Sequence, residues 1–368
     1  MKFDRRLFTH FDWTLLALVV LLSCIGLLNI YSTGVTGDGQ SPLYWKQAEW
    51  IAIGLLFMGV SFSIDYRLTA RYAYWIYGFS IVLLVMVFLF GYATRGSQRW
   101  IQLGSFSFQP SELVKLAIVL ALSKYFDDHK IAGRGYRLRE LFIPALLSLV
   151  PVVLIMKQPD LGTALVVLIV TTSMVFFVGV EKRSLLIAAA CGLVLLPIGW
   201  LLLKDYQKER IMTFFCPERD PLGSGYHIIQ SMIAVGSGGL IGKGFLKGTQ
   251  TQLKFLPEQQ TDFVFSVFAE EWGFLGCLLL IMMFLTLVLW GLKIALNARN
   301  LLGTLLCYGI TMLIFWECFI NIAMVLGLLP VVGIPLPFLS YGGSAIVVLM
   351  TAVGLLMNVS MRRFLFQP

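Results

Sequence analysis

Residues 318–361 read CFINIAMVLGLLPVVGIPLPFLSYGGSAIVVLMTAVGLLMNVSM and contain no Asp, Glu, Lys or Arg. Three prolines, Pro330, Pro335 and Pro337, lie in the middle of this stretch, and proline interrupts a helix. The apolar run on either side is long enough for a helix that crosses the hydrocarbon core, which takes about 20 residues. The stretch therefore predicts two membrane-spanning helices joined by a proline-rich loop.

The rest of the chain has the same character. Of its 368 residues, 58% are hydrophobic and only 13% are charged, whereas soluble domains carry about 25% charged residues. So few charges cannot cover a water-soluble globule, and we predict a polytopic membrane protein. The net charge of +8 comes from short clusters between apolar runs. Such clusters indicate membrane topology and not a nucleic-acid surface.

The predicted fold is a single all-α membrane domain, residues 1–368, with ten spans. They lie near 13–33, 47–64, 72–92, 111–126, 141–156, 161–180, 184–203, 263–292, 301–328 and 339–360. An even number of spans places both termini on the same side of the membrane. No cysteine or histidine spacing indicates a disulfide framework or a metal site.

The distribution of Lys and Arg predicts the orientation. With a cytoplasmic N-terminus, 16 of these residues fall in the inside segments, against five outside or within spans when the long segment 204–261 is left out. This bias predicts cytoplasmic termini and one large external loop, 204–261, between spans 7 and 8. Within that loop, the apolar stretch from His227 to Val235 is too short to span, so we expect a helix at the interface or re-entering the membrane.

Ionisable residues inside or at the ends of spans are expensive, and each is a candidate for function. In QPSELVKLA, residues 109–117, Glu112 and Lys115 lie three apart on one helix face and are expected to pair. The pair fits a neutralised helix start, and it equally fits the wall of a polar cavity. Glu270, Glu271 and Glu317, which lie deeper in predicted spans, are expected to make internal hydrogen bonds.

Two aspartates occupy the outer ends of predicted spans. Asp160, in QPDLGT (158–163), is placed to cap the sixth span. Asp262 begins the eighth span, where Thr261 can cap the helix and Asp262 then occupies the first turn, where the helix dipole favours an anion. Capping accounts for both aspartates. For Asp262 the alternative is a carboxylate at the water–lipid boundary that accepts a proton from a sugar hydroxyl.

Arg99 and Trp100 lie just before the fourth span, on the predicted external side. Trp100 suits the belt of aromatic residues at a membrane interface. Arg99 beside it has the planar guanidinium that binds phosphate. The sequence thus offers a phosphate ligand next to the candidate carboxylates.

Several motifs occur together and in order along the chain. They are QRW (98–100), QPSELVKLA (109–117), QPDLGT (158–163), DPLGSGYHIIQS (220–231), GTQTQLKFLPEQQTDF (248–263), AEEWG (269–273) and PVVGIPLPFLSYGGS (330–344). With these motifs the chain resembles, from about Phe11 to Met361, the SEDS family, the bacterial proteins of shape, elongation, division and sporulation. The segment GTQTQL–FLPE, residues 248–258, and the short N-terminus are similar to the elongation branch of the family.

The resemblance implies a peptidoglycan glycosyltransferase in the bacterial inner membrane that polymerises lipid II at the outer face during cell elongation and so contributes to rod shape. Asp262 matches the family's essential carboxylate, and Trp100, Glu112, Lys115 and Asp160 match residues around the same external cavity. The implied partners are a class B penicillin-binding protein, scaffold proteins of the elongation machinery, lipid II, undecaprenyl-pyrophosphate-linked glycan and membrane lipids, without nucleic acid.

The implied reaction joins a donor glycan, whose leaving group is undecaprenyl pyrophosphate, to the 4-hydroxyl of an acceptor lipid II. Asp262 is the expected base for that hydroxyl, and the anomeric carbon would be inverted. Lys115 or Arg99 would stabilise the pyrophosphate. The sequence requires no cofactor and leaves room for a divalent cation, Mg²⁺ or Mn²⁺, that shares the pyrophosphate charge.

The main alternative is a flippase that moves lipid II across the membrane. A transporter needs its polar site near the midplane, reachable from both sides. Glu112, Asp160 and Asp262 instead fall at predicted outer helix ends, which favours external chemistry. A non-catalytic scaffold, the third hypothesis, leaves these carboxylates without a reason.

Overall fold

The structure is a computed structural model that describes residues 11–34, 42–94, 97–103, 106–131, 134–202, 205–216, 224–253, 255–256 and 258–363. The predicted cytoplasmic termini, 1–10 and 364–368, lie outside the described residues, as do residues 204 and 217–223 of the predicted external loop.

Helices make up most of the described chain. In order they are α1 (Trp13–Gly34), α2 (Pro42–Ser63), α3 (Tyr66–Arg71), α4 (Ala73–Phe90), α5 (Pro110–Asp128), α6 (Phe142–Lys157), α7 (Leu161–Val178), α8 (Lys182–Leu202), α9 (Asp205–Phe215), α10 (Ser224–Ser237), α11 (Thr249–Gln252), α12 (Val264–Leu296), α13 (Leu301–Val325) and α14 (Gly343–Arg362). Three strands lie between α4 and α5: β1 (Tyr92–Thr94), β2 (Ser97–Leu103) and β3 (Phe106–Phe108).

Each predicted span coincides with one of the long helices α1, α2, α4, α5, α6, α7, α8, α12, α13 and α14. Five of them, α1, α7, α12, α13 and α14, are both long and apolar enough to cross a membrane, and α4 and α6 are apolar but shorter. Long apolar runs cannot avoid forming helices in hydrocarbon, because only a helix or a closed barrel pairs every backbone group there. The chain is a mostly helical, polytopic membrane protein.

The all-α expectation is wrong between α4 and α5. The three strands there form an antiparallel sheet in the order β1-β2-β3, which pairs Tyr92 with Trp100 and Ile101 with Phe108. The outer strands are 3 residues long, so their alternation of apolar and polar residues is too brief to identify from sequence. The sheet matters for the site because β2 carries Arg99 and Trp100.

Helices α13 and α14 lie in the interior of the bundle. The buried share of the apolar segment is 83% in α14 and 67% in α13, whereas it is 39% in both α1 and α12. Helix α14 packs most extensively on α2, where a side chain at Gly354 would collide with the main chain of Met58. Outward faces carry large exposed apolar residues such as Trp75, Phe79 and Leu89, as expected where lipid is the solvent.

Helix α12 is broken at Gly273, whose φ of 64° and ψ of −164° are not helical. The break leaves the carbonyls of Glu270 and Glu271 to accept hydrogen bonds from the backbone N–H groups of Lys243 and Gly244, both at 3.0 Å. A Cβ at Gly273 would lie 2.2 Å from the backbone nitrogen of Gly242. Glycine is therefore required here both by its positive φ and by the close approach of the turn that follows α10.

Candidate functional site

A cavity of about 660 Å³ opens where β2, the first turns of α5 and α7, the turn before α12 and the loop between α13 and α14 meet. Five of the six side chains predicted for the site line it: Arg99, Trp100, Glu112, Asp160 and Asp262. These residues come from four separate segments, up to 163 positions apart in the sequence. The fold thus brings together the candidates that the sequence could only name one at a time.

Lys115, the sixth predicted residue, lies behind Glu112 and is only 3% exposed. Its Nζ is 2.7 Å from Glu112 Oε2, which is the predicted pair, and it also contacts the Glu317 carboxylate of α13. All three side chains are buried. Two carboxylates therefore share one ammonium group, and the cluster reaches the cavity only through Glu112.

Asp160 is the N-cap of α7 and also a wall of the cavity. Its carboxylate accepts hydrogen bonds from the backbone N–H of Thr163 at 3.3 Å, the Thr163 hydroxyl at 2.9 Å and Gln109 Nε2 at 3.1 Å. Both interpretations of this aspartate are thus compatible, because one carboxylate oxygen caps the helix and the residue still faces the cavity.

Arg99 is held by main-chain groups of the turn before α7. Its Nε donates to the Gln158 carbonyl at 3.1 Å, its Nη2 donates to the Pro159 carbonyl, and its Nη1 lies 3.8 Å from Asp160 Oδ1. The side chain therefore ties β2 to the turn that carries Asp160. Part of the guanidinium still lines the cavity, with 24% of the side chain exposed.

The expectation that Thr261 caps α12 and that Asp262 lies in its first turn is wrong. The helix begins at Val264 with Phe263 as N-cap, and no side chain makes the capping bond. The Thr261 hydroxyl instead donates to Glu258, whose carbonyl also accepts from the backbone N–H of Thr261 at 3.1 Å. Asp262 is thus in a tight turn before the helix, two residues ahead of the first helical residue, Val264, and outside the first turn to which the dipole argument applies.

Hydrogen bonds from two side chains to main-chain carbonyls fix the turn that carries Asp262. Asn321 Nδ2 donates to the Asp262 carbonyl at 2.8 Å and to the Ile334 carbonyl at 2.7 Å. The Ser340 hydroxyl donates to the Thr261 carbonyl at 2.6 Å. A Cβ at Gly333, where φ is +74°, would be 3.3 Å from Asp262 Oδ2, so the loop backbone lies directly against this carboxylate.

Several polar lining residues were not identified from the sequence. They are Gln102, Ser107, Gln109, Thr163, Glu258 and Tyr341. Charges in apolar runs do not identify these residues, because five of them are uncharged and Glu258 lies outside every predicted span.

Within the described residues there is no group of three or more His, Cys, Asp or Glu placed to hold a metal ion. The cavity lining nevertheless holds four carboxylate residues, Glu112, Asp160, Glu258 and Asp262, against one arginine. Its formal charge is therefore negative. An anionic substrate needs additional positive charge to bind there.

The fold and the motifs agree with one protein family. The family model described as a cell cycle protein and named for FtsW, RodA and SpoVE matches residues 9–364. The chain belongs to this family.

Relatives of known structure and sequence extend over nearly the whole chain. The peptidoglycan glycosyltransferase MrdB of Escherichia coli K12 is 41% identical over 355 residues, which cover 96% of this chain and 94% of the relative. RodA, the rod shape determining protein of Thermus thermophilus, matches with a TM-score of 0.72 and 31% identity over 97% of this chain and 98% of that chain. A chain of a peptidoglycan synthase complex that coordinates polymerization and crosslinking matches with a TM-score of 0.81 and 34% identity, over 96% of this chain and 98% of that chain.

Proposed function

We propose that this chain is a peptidoglycan glycosyltransferase of the RodA type, which polymerises lipid II into glycan strands at the outer face of the bacterial inner membrane during cell elongation. The full-length similarity to MrdB supports the activity. The observation that carries the proposal is the cavity that brings Glu112, Asp160 and Asp262 together with Arg99 and Trp100. Such a cavity can accept a sugar linked to pyrophosphate at the end of a membrane-buried lipid.

Asp262 is the proposed general base. It lies in a turn whose main-chain carbonyls accept hydrogen bonds from the side chains of Asn321 and Ser340. Its carboxylate lies against Gly333 at the cavity wall. Because Asp262 precedes the first turn of α12, the helix N-terminus acts on its basicity less strongly than the sequence pattern implied. An ionised Asp262 would take the proton of the acceptor 4-hydroxyl while the oxygen attacks the anomeric carbon and the pyrophosphate leaves.

The other site residues have distinct proposed tasks. Trp100 offers an aromatic face to a sugar ring, and Arg99 offers the exposed part of its guanidinium to a phosphate. Lys115 neutralises Glu112 and Glu317 and does not contact the substrate, since it is buried between the two carboxylates. A Mg²⁺ or Mn²⁺ ion carried by the pyrophosphate would offset the negative charge of the cavity.

The proposed arrangement in the membrane has ten spans, cytoplasmic termini and the cavity on the external side. Segment 204–261 forms the large external loop, in which α10 lies against the broken helix α12. The proposed partner is a class B penicillin-binding protein, whose transpeptidase crosslinks the new strands. The similarity to a chain of a peptidoglycan synthase complex supports such a partner.

A reconstitution separates polymerisation from lipid transport. The purified chain with its cognate penicillin-binding protein, the transpeptidase inactivated, is given fluorescent lipid II in detergent, where no membrane separates two faces. Glycan strands resolved by gel electrophoresis are the expected product. A parallel assay in proteoliposomes measures transfer of labelled lipid II between leaflets. Lipid transfer without strands in the detergent assay would overturn the proposal in favour of a flippase.

A further inference from the structure

Asn321 is an uncharged polar residue in the interior of the bundle, on α13, and it is completely buried. Its side-chain amide donates two hydrogen bonds, 2.8 Å to the carbonyl of Asp262 and 2.7 Å to the carbonyl of Ile334. These two carbonyls belong to different segments, the turn before α12 and the loop between α13 and α14. Both segments line the cavity, through Asp262 on one side and Gly333 on the other.

The amide fixes the position of the Asp262 backbone and therefore the origin of its side chain. A buried carbonyl that loses its donor costs free energy. The two hydrogen bonds therefore hold the turn and the loop against Asn321. The loop also places Gly333 beside the Asp262 carboxylate, since a Cβ at Gly333 would be 3.3 Å from Asp262 Oδ2. Asn321 thus holds both the main chain of Asp262 and the loop that lies beside the Asp262 carboxylate.

The same face of α13 also reaches the opposite wall of the cavity. Glu317 lies four residues before Asn321, on the same side of the helix, and it contacts Lys115, which is 2.7 Å from Glu112. One rigid helix therefore connects the turn that holds Asp262 to the cluster that holds Glu112. A shift of Asn321 relative to the turn would change the separation of these two carboxylates.

We propose that Asn321 is a positioning residue for the transfer reaction: its side-chain amide ties the main chain of Asp262 to that of Ile334 and so holds the Asp262 carboxylate where it meets the acceptor hydroxyl. This inference rests on the proposed function. It assigns Asn321 no contact with the substrate. Loss of the amide should therefore lower the turnover number and leave the affinity for lipid II almost unchanged.

Asn358 provides a matched control. It is also a buried asparagine, on α14, and its Nδ2 also donates to two backbone carbonyls, those of Phe62 at 2.5 Å and Ile64 at 2.7 Å. Its Oδ1 in addition accepts from the backbone N–H of Tyr66 at 2.9 Å, so its loss should destabilise the fold at least as much as the loss of Asn321. It lies 15 residues from Gly343, the first residue of α14, which is about 22 Å along a helix. A substitution of Asn358 thus removes the same kind of bond far from the cavity.

The test compares Asn321→Leu with Asn358→Leu in the purified complex, by rates of strand synthesis at several lipid II concentrations and by thermal unfolding. Both variants should unfold at lower temperature. Asn321→Leu should lose at least about tenfold in kcat, since a small misplacement of a reacting group has effects of this size. Its KM should stay within about twofold, and Asn358→Leu should keep the wild-type kcat and KM for the folded fraction.

A second variant keeps the inference testable if Asn321→Leu does not fold. In Asn321→Asp the buried carboxyl takes up a proton, so one O–H donor remains and can bind one of the two carbonyls. The kcat of this variant should therefore exceed that of Asn321→Leu. If Asn321→Leu does not fold, the kcat of Asn321→Asp should lie between the wild-type value and one tenth of it. A packing role predicts the opposite order, because leucine suits a buried site better than aspartic acid. Normal kcat in either Asn321 variant, or a change in KM alone, would overturn the inference. Absence of strands with the wild-type complex would overturn the proposed function itself, and with it the role of Asn321.

Discussion

Two clusters of buried carboxylates in the same bundle are satisfied in different ways. In the cavity-wall cluster, Glu112 and Glu317 share Lys115. The helix-break cluster consists of Glu270 and Glu271, beside the break in α12. Glu270 accepts hydrogen bonds mainly from the segment that follows α10, from Lys243 Nζ at 2.7 Å and from the backbone N–H of Gln250 at 3.0 Å. All of these carboxylates are almost completely buried.

The difference shows that a carboxylate in an apolar run does not by itself mark a site. Glu270 is bound by backbone and side-chain donors of residues 243–251, so it organises that segment, and it is not one of the residues that line the cavity. Glu112 has one charged partner within hydrogen-bond distance and lines the cavity. The partners and the position relative to the cavity together distinguish Glu270, which organises a segment of the fold, from Glu112, which faces the cavity.

Removal of Glu270 should have the largest effect on stability. Glu270→Ala removes the carboxylate that accepts from Lys243 and from the backbone N–H groups of Gln250 and Thr251. Loss of one partner of a buried charge pair costs about 3–5 kcal/mol. Thermal unfolding in detergent measures this. Glu140→Ala is the control, because Glu140 also accepts from a backbone N–H and an arginine but lies on the surface. Equal unfolding temperatures for the two variants would contradict the organising role of Glu270.

The cavity-wall cluster should show coupling between its members. Lys115→Met leaves two carboxylates buried without their cation and should lower the free energy of unfolding by about 3 kcal/mol. Adding Glu112→Gln to that variant should recover part of the loss, because only one carboxylate then needs a partner. Unfolding temperatures of the wild type, both single variants and the double variant complete the cycle. Strictly additive effects would exclude the shared ammonium group.

Glu112→Gln and Glu271→Gln should separate the two clusters by activity. Glu112→Gln should keep most of the stability and lose about tenfold in kcat, equivalent to about 1.4 kcal/mol of transition-state stabilisation. Glu271→Gln removes the charge that accepts from Ser32 and the backbone N–H of Leu246. It should lower the yield of folded protein but not the rate per folded molecule, measured by strand synthesis normalised to complex. The reverse pattern would exchange the roles of the two clusters.

Arg99→Lys should have the smallest effect. Arg99 donates to the Gln158 and Pro159 carbonyls from two separate atoms of a rigid, planar guanidinium, Nε and Nη2. A lysine keeps the positive charge but has a single flexible ammonium group without this geometry, and the hydrogen bond lost is worth about 1 kcal/mol. We expect a rise of KM for lipid II by a few-fold with little change in kcat. An unchanged KM would show that the link between β2 and the turn before α7 does not affect substrate binding.

Sequence reasoning located the long helices because each corresponds to a long, mostly apolar run. It also found the pair of Glu112 and Lys115, since a spacing of three residues on a helix brings side chains together. It could not predict that Glu317 is the second partner of Lys115, because the two residues lie 202 positions apart along the chain. Asn321 was missed for a related reason, because the search considered charged groups and an amide in a span carries no charge.

The strands and the turn at Asp262 show the other limit. Residues 97–103 read SQRWIQL, in which apolar and polar residues do not alternate strictly, and the two strands beside them have only 3 residues each. At 258–263, the preference of threonine for helix caps pointed to Thr261, but the Thr261 hydroxyl is used by Glu258 within the turn. Local preference was overridden there by contacts that involve α13 and the loop after it.

The central claim, that Asp262 is the base of a glycosyl transfer, is tested most directly by strand synthesis with the purified Asp262→Asn complex. Asparagine is nearly isosteric, and the bonds from Asn321 and Ser340 go to main-chain carbonyls, so the fold and the partner complex should remain intact. Loss of the base should lower the rate at least about 10²-fold. Near-normal strand synthesis by a well-folded Asp262→Asn complex would contradict the account.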